Sequence, residues 1–487
     1  MPIIILCWGL FYILFLPVIN MDAGLGYDGH YYGHIARRFF SMVFGNQVDA
    51  YRIQRIVPPF VVYVFMNLFG ISSSLPKIVL SFQIYNMILL QLGAVVWCRI
   101  SGVYNFKLKY IWLGFVFWFL NFGVAEMAFY YPVLTDISAL FVGFFLLYAH
   151  LKNNLLLKII LTFLGAFTWP MFLIFGILLL IFPVTLKPKL NDLMSEEKKK
   201  YDRYYLFVLP LPFLCFGIYK IADYYLTNAS LELDTEIIYP TIIIGLVLNY
   251  FLSVYFFKYY LPVNFSLRQI LKFFKNTILH AKTSGIVISV VIFLIVKLIQ
   301  NYLSNDNPVS GSYLLLFHYI SLYGATKPLV YLVTYIIYFG PMFIVFFMYL
   351  KYVAKYIPEM GTGIYLFFII PVLTIFATEA RLNIFYLPFF LIPVLLFLKD
   401  LKVGKNNILL FTLISFLLSR VYLPMHNVPD RITGKMTFNN QLLFMNFHTI
   451  SINSYLVLAV VIILFSLAVY LSLRKSKNYT LLKLQNN

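Results

Sequence analysis

The sequence predicts an all-α, polytopic membrane protein, and three observations carry that reading. Of its 487 residues 62% are hydrophobic and only 11% are charged, where an ordinary soluble domain has about a quarter charged. Apolar runs recur along the chain, many of them near the about 20 residues that a helix needs to cross a bilayer. The basic residues gather in the short segments between those runs, which is how membrane proteins set their orientation. The mean hydropathy of +0.86 agrees.

Taken in order, the runs at 2–19, 77–98, 110–125, 136–151, 205–222, 239–257, 284–299, 328–350, 363–378, 384–398, 407–423 and 454–473 each predict a span. The first carries no basic n-region and no small-residue cleavage site, so it is expected to be retained. The stretch 159–184 has basic residues at both ends, Lys158 before and Lys187 after, and Trp169-Pro170 in its middle. It predicts a short helical hairpin with both ends on one side. The expected total is about fourteen crossings, or twelve with a re-entrant pair, in a single domain over 1–487 without a soluble part. Residues 264–281 alternate Leu267, Ile270, Leu271 and Phe274 with Arg268, Lys272 and Lys275, the pattern of a helix lying on a leaflet.

Placing the N-terminus in the cytoplasm assigns 25 of the 37 Lys and Arg to cytoplasmic loops and 12 of the 18 acids to the outside. Both termini are then cytoplasmic. The net charge of +19 is thereby accounted for by orientation, and no nucleic-acid partner is expected. Cys7, Cys98 and Cys215 all sit in apolar segments and give no disulfide framework.

The first outer loop, 20–76, breaks the charge rule: Arg37, Arg38, Arg52 and Arg55 all fall on the side that should be poor in them. It also holds Asp28, His30, Tyr31 and Tyr32. Ionisable groups are costly to keep at a membrane without a task, so this loop is the expected place for chemistry on an anionic substrate. Asp28 is a plausible N-cap. From Gly29 a helix would put Tyr32, Ile35, Phe39, Met42 and Val43 on one apolar face and His30, His34, Arg37 and Arg38 on the other, the habit of an in-plane helix. The run Ile56–Phe69 starts at Pro58-Pro59 and is too short to span; it predicts a second interfacial helix. Arg52 and Arg55 are three apart and would share a helical face. Two guanidinium forks there suit a phosphate or pyrophosphate.

Two more outward sites follow. Glu126 precedes Tyr130-Tyr131-Pro132-Val133-Leu134-Thr135-Asp136, where Thr135 or Asp136 also suits a helix cap. Glu379-Ala380-Arg381 lies at the outer end of a span. Glu379 and Arg381 are two apart, so each must find a partner off its own helix. His30-x-x-x-His34 has the spacing of a metal-binding pair but reads as two polar interfacial histidines. Asn228-Ala229-Ser230 is a sequon in an outer loop.

Together these motifs resemble the membrane-embedded GT-C glycosyltransferases, in particular the bacterial lipid A aminoarabinose and mannosyl transferases. Asp28-Gly29-His30-Tyr31 stands where that class carries its catalytic acid. Arg55–Pro59 stands where it carries a Lys-Pro-Pro run. Thr135-Asp136 is similar to its second-loop acid, and Glu379-Ala380-Arg381 with Pro388 to a late motif of bacterial members. The chain departs from the pattern in having a single Asp28 at the first site and no C-terminal soluble domain. The resemblance implies transfer of a sugar from a polyprenyl-phosphate donor to a glycan, lipid or protein acceptor on the outer face of the inner membrane. Asp28 would be the catalytic base. Arg52, Arg55, Arg381, Asp136, Glu379, Tyr31 and His30 would bind substrate. No residue is assigned to a metal, and a divalent ion is the one cofactor left open. No glycine-rich nucleotide cradle is present, which fits a lipid-linked donor. The rival expectations are a lipid-linked-glycan flippase or transporter, and a polysaccharide polymerase or ligase, for which 424–453 would be the late outer loop.

Overall fold

In a computed structural model the chain is described over residues 1–186, 238–260, 275, 278–279, 281–305, 329–368, 380–423 and 452–476. All of the regular structure there is helical, apart from an isolated bridge between Asp49 and Asn305. Among the described residues, four helices are long and apolar enough to cross a membrane: Leu75–Val103, Thr283–Leu303, Ala380–Asp400 and Tyr455–Arg474. A fifth arises if the bent pair Leu108–Phe119 and Phe122–Tyr130 is taken as one span. Seven shorter apolar helices accompany them. The expected span at 205–222, residues 369–378 of the span expected at 363–378, most of the segment 264–281, the sequon, Cys215 and the 424–451 part of the late loop lie outside the described residues.

The first helix, α1 (Pro2–Phe15), ends sooner than the expected 2–19. Leu16 is extended because Pro17 follows it. A polar turn leads to α2 (Gly29–Arg37) and α3 (Phe39–Val43), which replace the single helix expected from Gly29 to Val43. The break falls at Arg38, at φ −140° and ψ 52°. The apolar face is nonetheless the expected one, with Tyr32, Ile35, Phe39 and Val43 buried and His30 and Arg38 exposed. One turn, α4 (Ala50–Ile53), precedes α5 (Val57–Leu68), whose prolines occupy its first turn, where no N–H is missed. These pieces stand on their own apolar cluster: Leu25, Ile35, Ile53, Val62, Phe82 and Val296 are among its buried members.

The long helix α6 (Leu75–Val103) carries α1 on one side and α9 (Asp136–Leu151) on another. Between them the expected span 110–125 is broken. After α7 (Leu108–Phe119) the chain turns by 65° into a π-turn over Phe122–Glu126 and a last turn, α8 (Met127–Tyr130). Asn121 causes the break. Its amide donates to the Phe117 and Trp118 carbonyls while its oxygen accepts from Val124 N–H, closing one helix and capping the next. The span expected at 328–350 is broken likewise at Gly340, where φ is +81° and Pro341 opens the next helix. The hairpin expected at 159–184 is formed by α10 (Leu155–Ala166) and α11 (Met171–Ile181). It is antiparallel: Gly165 faces Phe172, Gly176 faces Thr162, and Lys158 donates to the Leu179 carbonyl.

One glycine positions the site. Gly143 on α9 meets the carbonyl of Phe385, and a Cβ there would lie 2.6 Å from that oxygen. The missing side chain lets the 3₁₀ turn Ala380–Tyr386, which holds Arg381, press against the helix that begins with Asp136.

Candidate active site

Asp28, Arg381 and Asp136 meet at one point, although Asp28 and Arg381 are 353 residues apart in sequence. Arg381 Nη2 donates to Asp28 Oδ2 at 3.0 Å, and Arg381 Nη1 lies 3.7 Å from Asp136 Oδ2. Arg381 is buried, Asp136 is buried, and the Asp28 side chain remains 40% exposed. One guanidinium therefore ties a deep carboxylate to one that faces out.

Asp28 sits at the N-cap position of α2 but makes no capping bond. That corrects the capping expectation. The α2 terminus is served instead by Tyr131, whose hydroxyl accepts from Gly29 N–H at 3.1 Å. Gly26, at φ +72°, is pressed on the same ring, so a side chain there would overlap Tyr131. Thr135 is the N-cap of α9 and also makes no side-chain cap; Asp136 points to Arg381 rather than to its own helix.

Burial alone would raise the pKa of Asp28. That is the largest single influence, but the charges of Arg381, Arg55 and Arg52 and the hydrogen bond from Arg381 together outweigh it, and the carboxyl is held below its ordinary value. Three cations thus surround the outermost acid. They are held by different means. Arg52 pairs with Asp49 at its helix start and lies 3.3 Å above the Tyr31 ring. Arg55 is 2% exposed, donates to Tyr32 Oη at 3.4 Å and packs on the rings of Trp169 (4.1 Å) and Tyr51 (4.7 Å). The expected shared helical face is not formed, because α4 stops at Ile53 and Arg55 belongs to the turn beyond it. Val57 N–H to Phe167 carbonyl at 3.0 Å fixes that turn to the hairpin carrying Trp169.

Glu126 does not join the group. Tyr12 donates to its Oε1 at 2.9 Å in the packing between α1 and α8. Glu379 lies outside the described residues. His30 contacts Asp22, and its ring stands edge-on to Tyr31 and to His34. Asp22, His30 and His34 present ligand atoms within 4.8 Å of one another. The residues to which the sequence assigned no role at the site are Tyr32, Tyr51, Tyr131, Trp169, Asp49 and Asp22. Tyr32 and Tyr131 stood within the polar segments singled out, and Trp169 gave a signal as the break of the hairpin.

No family model matches the chain, and comparison with curated proteins and with solved structures finds no match either.

Proposed function

We propose that the chain is a polytopic inner-membrane glycosyltransferase of the GT-C kind, moving a sugar from a polyprenyl-phosphate donor to an acceptor at its outer face. The observation that carries the reading is the meeting of Asp28, the first-loop acid, with Arg381 and Asp136, the late-chain and second-loop groups, amid Arg52 and Arg55.

The chemistry follows from that grouping. An acceptor hydroxyl attacks the anomeric carbon while the bond from that carbon to the phosphate oxygen breaks. The acceptor proton passes to Asp28, and polyprenyl phosphate leaves with the bonding pair. Negative charge grows on the leaving phosphate, where Arg52, Arg55 and Arg381 can stabilise it. Planar guanidinium forks match phosphate oxygens two at a time. Arg381 stands between two carboxylates, so an arriving phosphate competes with Asp28 for its donors and leaves that carboxylate free to take the proton. The apolar helices nearby suit the prenyl tail.

The test is incubation of the purified protein in detergent with a panel of polyprenyl-phosphate sugars and acceptor lipids, followed by mass analysis. Release of polyprenyl phosphate supports the reading. A second reading, a lipid-linked-glycan transporter, is favoured by the helix breaks at Asn121 and Gly340, since transporters build their sites at broken helices. If no panel member is cleaved while a lipid-linked glycan changes leaflet in proteoliposomes, the transporter stands and the transferase falls.

A further inference from the structure

We infer that Asp22, His30 and His34 form a binding site for a divalent transition-metal ion, Zn²⁺ in the first instance, at the entry to α2. The inference does not depend on the transferase reading.

His30 and His34 are one helical turn apart on the same side of α2, with ring centroids 4.5 Å apart. The spacing i, i+4 is the one by which a single helix offers two imidazoles to one ion. The sequence shows that pair with an acid nearby, but spacing alone does not identify a third ligand. The third comes from backbone geometry. Asp22 and Ala23 adopt φ of +49° and +52°, and Gly24 and Gly26 follow at +94° and +72°. Four left-handed residues in five fold the chain back, and Gly26 N–H closes the turn on the Met21 carbonyl at 3.0 Å. Residues other than glycine rarely adopt such angles. Here they deliver the Asp22 carboxylate to His30 Nδ1.

The resulting set is two imidazoles and one carboxylate with ligand atoms within 4.8 Å of one another. Ligands of a tetrahedral zinc ion, each about 2.0–2.2 Å from the metal, stand nearer about 3.4 Å apart. Small rotations of three partly or fully exposed side chains close that difference. The donor set, nitrogen and oxygen without sulfur, favours Zn²⁺ or another first-row ion over Ca²⁺ or Mg²⁺, which take oxygen ligands. Three protein ligands leave the fourth position to water. Arg37 and Arg38 lie further along the same polar side and add positive charge; three ligands on one ion must outweigh that repulsion.

The structural consequence is specific. The ion would clamp the Met21–Gly26 turn to the first turn of α2 and hold His30 in place. His30 stands edge-on to Tyr31, and Arg52 stacks on Tyr31. The site therefore sets the aromatic platform for one of the three arginines around Asp28.

The test uses the full chain, purified in detergent with a non-histidine tag and stripped with chelator. Zn²⁺ is titrated against a chromophoric chelator, and Co²⁺ is added separately to read its visible d–d bands. About one equivalent is expected per chain. His34→Ala and Asp22→Asn should each weaken binding by at least about tenfold, the loss seen even for groups one step removed from a metal. Arg37→Gln, on the same helix, should not weaken it. If His34→Ala fails to fold, His34→Gln takes its place. Wild-type protein that takes up less than about half an equivalent overturns the inference without any variant. So does unchanged affinity in His34→Ala or His34→Gln, because the ion would then sit elsewhere, for example on the chain's other histidines.

Discussion

Arg381 and Arg55 are two buried arginines beside the same acid, held in opposite ways. Arg381 reaches two carboxylates, Asp28 and Asp136. Arg55 lies against the faces of Trp169 and Tyr51 and donates to a phenol. A carboxylate cancels a cation's charge, whereas a ring face attracts the cation and leaves its charge in place. The late-chain end of the site is therefore built to fix an acid, and the hairpin end to present positive charge. On the proposed reading the difference would assign separate duties: Arg381 would hold Asp28 in position and ionised, while Arg55 would supply charge to an anionic ligand.

The largest effect that tests this division is at Asp28. Asp28→Asn removes the base but keeps the size. Because Tyr131, not Asp28, caps α2, the helix should be undisturbed. Turnover of polyprenyl-phosphate sugar is expected to fall by at least about a hundredfold, with a drop in melting temperature no larger than that of Arg381→Gln, because Arg381 loses one carboxylate but keeps Asp136. Near-normal turnover would remove Asp28 from the mechanism and leave Arg381 a purely structural tie.

Arg381→Gln comes next. Breaking one side of a fully buried pair costs about 3–5 kcal/mol. Asp28 is 40% exposed, so solvent screening reduces the expected loss to about 2 kcal/mol. The pH dependence is more telling. The pKa of Asp28 is held low, so its contribution to stability is present above the unfolded carboxylate value, about 3.9, and is lost as pH falls through the lower folded value. Without Arg381 the folded value rises, so the acid limb of kcat/KM should move to higher pH. Wild-type and variant stabilities should also converge as the solution is acidified. An acid limb that stays in place would mean that Arg381 does not govern Asp28.

At the other end, Arg55→Lys keeps the charge but loses the planar stack on Trp169 and Tyr51. A desolvated cation–π contact is worth about 2 kcal/mol or less. Donor KM is expected to rise about tenfold, with kcat and the acid limb unmoved. Should Arg55→Lys shift the acid limb as Arg381→Gln does, the two arginines share one duty and the contrast drawn above is wrong.

These two ends also differ in how readable they were. Asp28, Asp136, Arg55 and Arg381 stand out because each is an ionisable residue in a chain that is otherwise apolar, and that signal needs no structure. Their partnership does not, since Asp28 and Arg381 are 353 positions apart and nothing in local spacing couples them. The helix breaks were half legible. Trp169-Pro170 announces itself through proline, but Asn121 acts through side-chain bonds to carbonyls three and four residues back, which hydropathy averages away. The aromatic box of Arg55 was hidden because Tyr and Phe are so common here that no single one is informative, and Trp169 was legible only as the break of the hairpin. The shared arginine face failed because a four-residue helix ends before it can include both.

The smallest expected effect concerns the residue that releases Asp28 for its task. Tyr131 caps α2 by accepting from Gly29 N–H, the duty that sequence alone gives to Asp28. Its phenol is buried, and burial together with the Asp28 charge pushes its pKa upward, so it stays a neutral hydroxyl throughout the working range. Tyr131→Phe deletes one hydrogen bond and little volume. The expected cost is about 1 kcal/mol, measurable as a small drop in melting temperature. If the vacated N–H then recruits the Asp28 carboxylate, that carboxylate is drawn from Arg381 towards the helix. Turnover should then fall severalfold although Tyr131 touches no substrate, and the double variant Tyr131→Phe with Asp28→Asn should be no slower than Asp28→Asn alone. Additive losses in that double variant would show that Tyr131 acts on the reaction independently of Asp28, and the capping exchange would have to be abandoned.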